Sequence, residues 1–186
     1  MLDWSKISTV LLDMDGTILD LHFDNHFWLH HLPLRYSETA KISLEQAQVS
    51  LKEGYEKVVG TIDWYCLDYW AEQTKLPIKE LKKEIQHLIN LRSDAHDFML
   101  ALRESGRRII LVTNAHPDSL SLKIEQTQLD KYFDYVWRQI SKDDRFSLFL
   151  QIPRQSQTSD LFLLNRHQLK EPLVSLILYL SPLRSH

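Results

Sequence analysis

A chain of 186 residues has room for one domain carrying an insertion, and its 44% hydrophobic and 25% charged content are ordinary for a globular protein. A net charge of −3 with no basic stripe argues against a nucleic-acid scaffold. One cysteine, Cys66, excludes an intramolecular disulfide, and no uncharged stretch approaches the roughly 18–20 residues that span a bilayer. The first residues show no signal-peptide pattern, so a soluble cytoplasmic protein is the expectation.

The first element is also the most informative. Thr9, Val10, Leu11 and Leu12 run straight into Asp13-Met14-Asp15-Gly16-Thr17. A short apolar run closed by a turn signal predicts a buried strand with a polar cluster at its C-terminal end. In open α/β sheets that end faces the crevice where ligands bind. Two carboxylates in alternate positions need a cation or a shared proton to offset their repulsion, and hard oxygen donors suit Mg²⁺. Gly16 permits a tight turn, and Thr17 offers its hydroxyl to a phosphoryl oxygen or to the turn itself. The plainer alternative is a strand followed by an Asx-type turn with two solvated aspartates.

The pattern hhhhDxDGT resembles motif I of the haloacid dehalogenase (HAD) superfamily of phosphohydrolases. That resemblance implies an α/β, Rossmann-like core with a helical cap inserted after motif I. It also implies roles for the pair: Asp13 as nucleophile, Asp15 as general acid and base, and both at a Mg²⁺ site.

Residues 21–35 (LHFDNHFWLHHLPLR) are rich in aromatics and histidine. His22, His26, His30 and His31 are spaced by about one helical turn, which suggests either a metal cluster or ordinary helix-face residues. With no cysteine or carboxylate pattern beside them, the helix face is the better reading. Ser43-Leu44-Glu45-Gln46 matches a capping box, and Leu44, Ala47, Leu51, Tyr55, Val58 and Ile62 continue as one apolar face. Asp63 is the expected cap of a second helix, Trp64–Gln73, ending before Leu76-Pro77. Pro77 opens a third, with Ile78, Leu81, Ile85 and Leu88 on one face. Residues 19–91 thus read as an all-helical block in the position of the cap, the part of a HAD enzyme that contacts the substrate beyond its phosphate. Trp64, Tyr65, Tyr69 and Trp70 fit either base stacking or, on spacing, the block's own core.

LLDMDGT, FDNHFW, IDWYCLDYW and, further on, LVTNAHP together resemble the GMP/IMP nucleotidase branch of the superfamily over roughly residues 4–136. This implies a small-molecule substrate, a purine nucleoside monophosphate.

Ser93 is the expected cap of a helix over 94–105 with Phe98, Met99 and Leu102 inward and Gly106 at its end. Arg107-Arg108 lead into a buried strand, 109–112, ending at Thr113-Asn114. A strand ending in Thr resembles HAD motif II, which implies that Thr113 and Asn114, with Thr17, contact the phosphoryl group. His116-Pro117 open a helix over 118–127, and 134–136 predict a third short strand. Ser141-Lys142-Asp143-Asp144 offers Lys142 as the motif III lysine or, equally, a solvated turn. No strand ending in paired carboxylates follows, so no motif IV is recognised.

Of the 25 acidic residues only Asp160 and Glu171 lie beyond residue 144, and no glycine follows Gly106. At a usual frequency of about 7%, five or six glycines would be expected in that stretch. The strand-like runs there are 161–164 and 173–180. Residues 145–186 therefore read as an atypical tail, as if the C-terminal third had been replaced by truncation or a shifted reading frame. The expected organisation is a HAD core at 1–18 and 92–144, incomplete toward the C-terminus, with the cap at 19–91. The expected function is Mg²⁺-dependent hydrolysis of purine 5′-nucleotides, the alternative being a catalytically impaired remnant with at most a binding role.

Overall fold

The computed structural model describes residue 4, residues 7–138 and residues 148–151. Two compact units account for them. One contains the residues up to Asp20, Leu91–Asn114 and those from Gln128 onward; the other contains Leu21–Asn90 and Ala115–Thr127.

The first unit is built on a sheet of β1 (Thr9–Asp13), β2 (Arg108–Thr113), β3 (Tyr135–Arg138) and β4 (Leu148–Gln151), in that spatial order. β1, β2 and β3 run parallel, while β4 joins β3 antiparallel with Val136 opposite Leu150. Val10, Leu11 and Leu12 are all buried, as are Ile109, Ile110 and Leu111. Such continuous apolar runs are what a parallel strand covered on both faces requires. Among the described residues β1 pairs with β2 alone.

Side chains fix where the strands begin. The Arg107 guanidinium donates to the carbonyls of Ile7 (3.0 Å) and Trp4 (2.6 Å). Asp134 accepts from the Ile109 amide at 2.8 Å, and its own amide donates to the Ile109 carbonyl.

The helix packed on β2, here α6 (Ala95–Glu104), corrects two expectations. Its N-cap is Asp94 rather than Ser93, without a side-chain capping bond. Ala95, Met99 and Leu102 set the buried stripe, and Phe98, at the edge of that stripe, is 39% exposed. Gly106, at φ 74°, ends the helix where a left-handed residue is needed. A further correction is β4: the strand lies at Leu148–Gln151, a run of four too short to stand out by periodicity. The runs at 161–164 and 173–180 lie outside the described residues, as do Lys142, Asp143, Asp144 and Asp160.

The second unit is helical. α1 (His22–His26) continues through a π-helical turn, Phe27–His31, into α2 (Leu32–Ala40), which Lys41 ends at φ 55°. α3 (Leu44–Val58) opens with the complete capping box: Ser43 Oγ accepts from the Gln46 amide at 3.1 Å, and Gln46 Oε1 accepts from the Ser43 amide at 3.0 Å. Ala47, Leu51 and Val58 are buried, while Leu44 is exposed and the helix stops short of Ile62.

Asp63 does not cap an aromatic helix. A 3-10 turn, Ile62–Tyr65, comes first, and the extended backbone of Cys66 separates it from α4 (Leu67–Thr74). α5 (Ile78–Glu84) follows Pro77 and leads into the 3-10 turn Gln86–Leu88, and α7 (Pro117–Thr127) packs against both.

The core of this unit is aromatic. Trp70 is 2% exposed, and its ring meets those of Trp28 (5.5 Å), Tyr55 (5.1 Å), Tyr69 (5.1 Å) and Trp64 (6.4 Å). Trp70 Nε1 donates to the Trp64 carbonyl at 3.1 Å and the Tyr55 hydroxyl to the Trp28 carbonyl at 2.9 Å, so each ring's polar tip is satisfied. Trp64 and Trp70 are packing residues; Tyr65 is exposed.

Candidate active site

The loop after β1 is closed by its own backbone. The Gly16 amide donates to the Leu19 carbonyl at 2.9 Å, and the Ile18 and Leu19 amides donate to the Met14 carbonyl at 3.0 and 2.9 Å. Gly16 sits at φ 81°, a conformation costly for any residue with a Cβ. Burial changes from residue to residue where the strand ends: Asp13 is exposed, Met14 is fully buried, and Asp15 and Thr17 are half-buried. The loop thus buries an apolar side chain between an exposed and a half-buried aspartate.

β2 supplies the second element. Asp13 lies opposite Val112 in the parallel register, so Thr113 falls one step further along, at the same end of the sheet. Thr113 is 4% exposed and Asn114 is exposed. Asp13, Asp15, Thr17, Thr113 and Asn114 all belong to the sheet unit and lie at or just after the ends of adjacent parallel strands. Lys142 lies outside the described residues.

Arg92 was not marked by the sequence. Its backbone amide donates to the Ile18 carbonyl at 2.9 Å and its Nη1 to the Gly16 carbonyl at 3.4 Å, so it braces the loop from 76 residues away. The donor set of the loop is hard oxygen, carboxylate and backbone carbonyl, which fits Mg²⁺.

The helical unit holds charge of its own. Lys82 and Lys123, each 2% exposed, converge on Asp24, with Nζ 3.1 Å from Oδ1 and 2.7 Å from Oδ2. Lys82 Nζ also stands 4.7 Å over the Phe23 ring and 4.6 Å over that of Phe27. Burial pushes the Asp24 carboxyl up, yet the charges of Lys82 and Lys123 and their hydrogen bonds outweigh it and hold it below its ordinary value. Of the histidines, His26 lies 6.2 Å from His22 and 5.5 Å from His30 between ring centroids. Desolvation and then the neighbouring histidines lower its pKa.

A parallel β1–β2 pair with a DxDGT loop after one strand and a buried threonine ending the next defines a hydrolase of the HAD type. The chain belongs to the haloacid dehalogenase-like hydrolase family, whose model matches residues 7–145. It is 44% identical over 133 residues to the GMP/IMP nucleotidase YrfG of Escherichia coli (strain K12), a match covering 72% of this chain and 60% of that protein. The protein of the same name from Shigella flexneri matches equally. Among solved structures, a HAD phosphatase from Thermococcus onnurineus aligns with a TM-score of 0.63 and 25% identity, over 71% of this chain and 62% of that one. The chain spans about 60% of the length of the curated relatives it matches. No helix among the described residues is long and apolar enough to cross a membrane.

Proposed function

We propose that this chain hydrolyses purine 5′-monophosphates, GMP and IMP, through an aspartyl-phosphate on Asp13. The observation that supports this most is the placement of Asp13 and Thr113 at the ends of adjacent parallel strands, in a chain 44% identical to a GMP/IMP nucleotidase. In this reading an Asp13 oxygen attacks phosphorus in line, and the bond to the nucleoside 5′ oxygen breaks. Asp15 gives its proton to that leaving oxygen, then takes one from the water that attacks phosphorus and restores Asp13. Thr17, Thr113 and Asn114 hold phosphoryl oxygens, and Lys142 is assigned the same task by resemblance. Asp13 and Asp15 are the groups that would hold Mg²⁺, whose charge would offset that of the phosphoryl oxygens. Enzymes of phosphate-monoester hydrolysis reach accelerations of up to about 10²¹, so none of these electrostatic terms is dispensable.

On the same reading residues 1–18 and 92–144 are the catalytic core, residues 19–91 the helical cap and residues 145–186 an atypical tail, in a cytoplasmic protein. The test is turnover of GMP and IMP with Mg²⁺ by the 186-residue chain and by Asp13→Asn. An amide is neither a nucleophile nor an anionic ligand, so the variant is expected to lose all activity. Undiminished turnover in Asp13→Asn overturns the mechanism.

A second reading, a family member impaired in catalysis with at most a binding role, is favoured by the glycine-free segment after residue 144, whose acids are only Asp160 and Glu171. Nucleotide binding without turnover in the wild-type chain would support it.

A further inference from the structure

The helical unit brings together a second set of metal-binding groups that shares no residue with the DxDGT loop. α4 begins immediately after Cys66, and α7 begins immediately after His116. At these two helix starts Cys66 Sγ, an Asp68 carboxylate oxygen and a His116 ring nitrogen lie within 4.8 Å of one another. His116 Nε2 is 3.3 Å from Asp68 Oδ2, and its Nδ1 is 3.1 Å from Asp118 Oδ2. The His116 side chain is 13% exposed and that of Asp68 71% exposed, so the group is reached from solvent past Asp68.

We propose that Cys66, Asp68 and His116 form a three-ligand site for a divalent metal of the zinc class, with a fourth position left to water. A thiolate and a carboxylate together carry the two negative charges that offset the ion. Thiolate and imidazole are soft and borderline donors that select zinc-like ions over Mg²⁺. Ligand bonds of about 2.0–2.3 Å around a tetrahedral zinc place donor atoms about 3.5 Å apart. His116 and Asp68 already stand close to that spacing, and Cys66 Sγ lies within 4.8 Å of a ligand atom of each. The thiol proton leaves to solvent when the metal binds, and no other bond is made or broken.

Asp118 supplies the support that such sites need. A proton on Nδ1 donated to the Asp118 carboxylate leaves the Nε2 lone pair for the metal and fixes the ring. Lys79 Nζ, 2.6 Å from Asp118 Oδ2, orients that carboxylate in turn. The Asp118 backbone amide also lies 3.3 Å from Nδ1, a contact that suits the opposite tautomer. A metal at Nε2 therefore selects the form that bonds the carboxylate. The ion would tie the start of α4 to the start of α7, joining Asp68 and His116, which are 48 residues apart in the chain.

The experiment uses the 186-residue chain, stripped with a chelator and titrated with Co²⁺ and then with Zn²⁺. Cys66 is the only cysteine, so a thiolate-to-cobalt charge-transfer band in the near ultraviolet has one possible source. The expected result is a one-to-one band that Zn²⁺ abolishes and that Cys66→Ser lacks. His116→Gln is expected to bind more than about tenfold more weakly, and Asp118→Asn, whose side chain meets the His116 ring at Nδ1 rather than at the metal-facing Nε2, about 10- to 100-fold more weakly. Zn²⁺ should raise the melting temperature of the wild-type chain but not of Cys66→Ser, both being folded by circular dichroism. Absence of the band in the folded wild-type chain overturns the proposal. So does stoichiometric Zn²⁺ binding that Cys66→Ser and His116→Gln leave unchanged.

Discussion

The sheet unit and the helical unit keep their polar chemistry in opposite places. In the sheet unit the strands bury aliphatic side chains, and Thr113, at a strand end, is the one buried polar residue among those described. In the helical unit Ser37, Thr74, Lys82, Ser119 and Lys123 are all buried, two of them as cations. A parallel strand covered on both faces admits only apolar side chains along its length, so reactive groups collect where it ends. Helices meet along stripes, and a long lysine can lay its stem in the stripe while its ammonium finds a carboxylate inside. Asp24 in α1, Lys82 in α5 and Lys123 in α7 are that arrangement, and it ties three elements together.

The largest single loss in the helical unit is expected at Trp70. Trp70→Ala removes the ring that four other aromatics contact and should destabilise the chain by about 3–5 kcal/mol, read by urea unfolding. If stability holds while the Michaelis constant for nucleotides rises, the ring serves substrate rather than packing.

Asp24→Asn follows, at about 3 kcal/mol, because it leaves two buried ammonium groups without that carboxylate. It also carries a pH signature. The folded-state pKa of Asp24 is held below the ordinary 3.8, so its stabilisation is present above that value and is lost as pH falls through the folded pKa. Acid unfolding below about pH 4 should therefore be shallower in Asp24→Asn than in the wild-type chain. An unchanged acid limb would mean that the buried cations do not depend on this carboxylate.

The smallest of these effects is expected for Ser43→Ala. It removes one arm of an exposed capping box and should cost about 1 kcal/mol by the same unfolding measurement. A loss as large as that for Trp70→Ala would make α3 depend on its cap rather than on Ala47, Leu51 and Val58.

What the sequence made legible follows contiguity along the chain, in both units. β1, the DxDGT loop, β2 ending in Thr113 and the capping box at Ser43 are each written in contiguous residues, as an apolar run and a turn signal or as a four-residue motif. The Asp24–Lys82–Lys123 network is spread over separations of 58 and 99 residues, and no periodicity links its members. Arg92 bracing the Gly16 loop is hidden for the same reason. Cys66 was invisible as a helix start because Trp64–Gln73 carries an unbroken helical pattern, which the extended backbone at Cys66 interrupts. The exposure of Phe98 is not legible because residues at the edge of an apolar stripe look the same in sequence as those at its centre.

The covalent step proposed at the end of β1 can be caught by acid quench of the wild-type chain turning over IMP with Mg²⁺, followed by mass mapping of the phosphorylated peptide. Covalent catalysis at Asp13 leaves a phosphoryl group on Asp13, none on Asp15, and none anywhere in Asp13→Asn. Turnover of IMP with Asp13 unlabelled, or with the phosphoryl group on another residue, would contradict it.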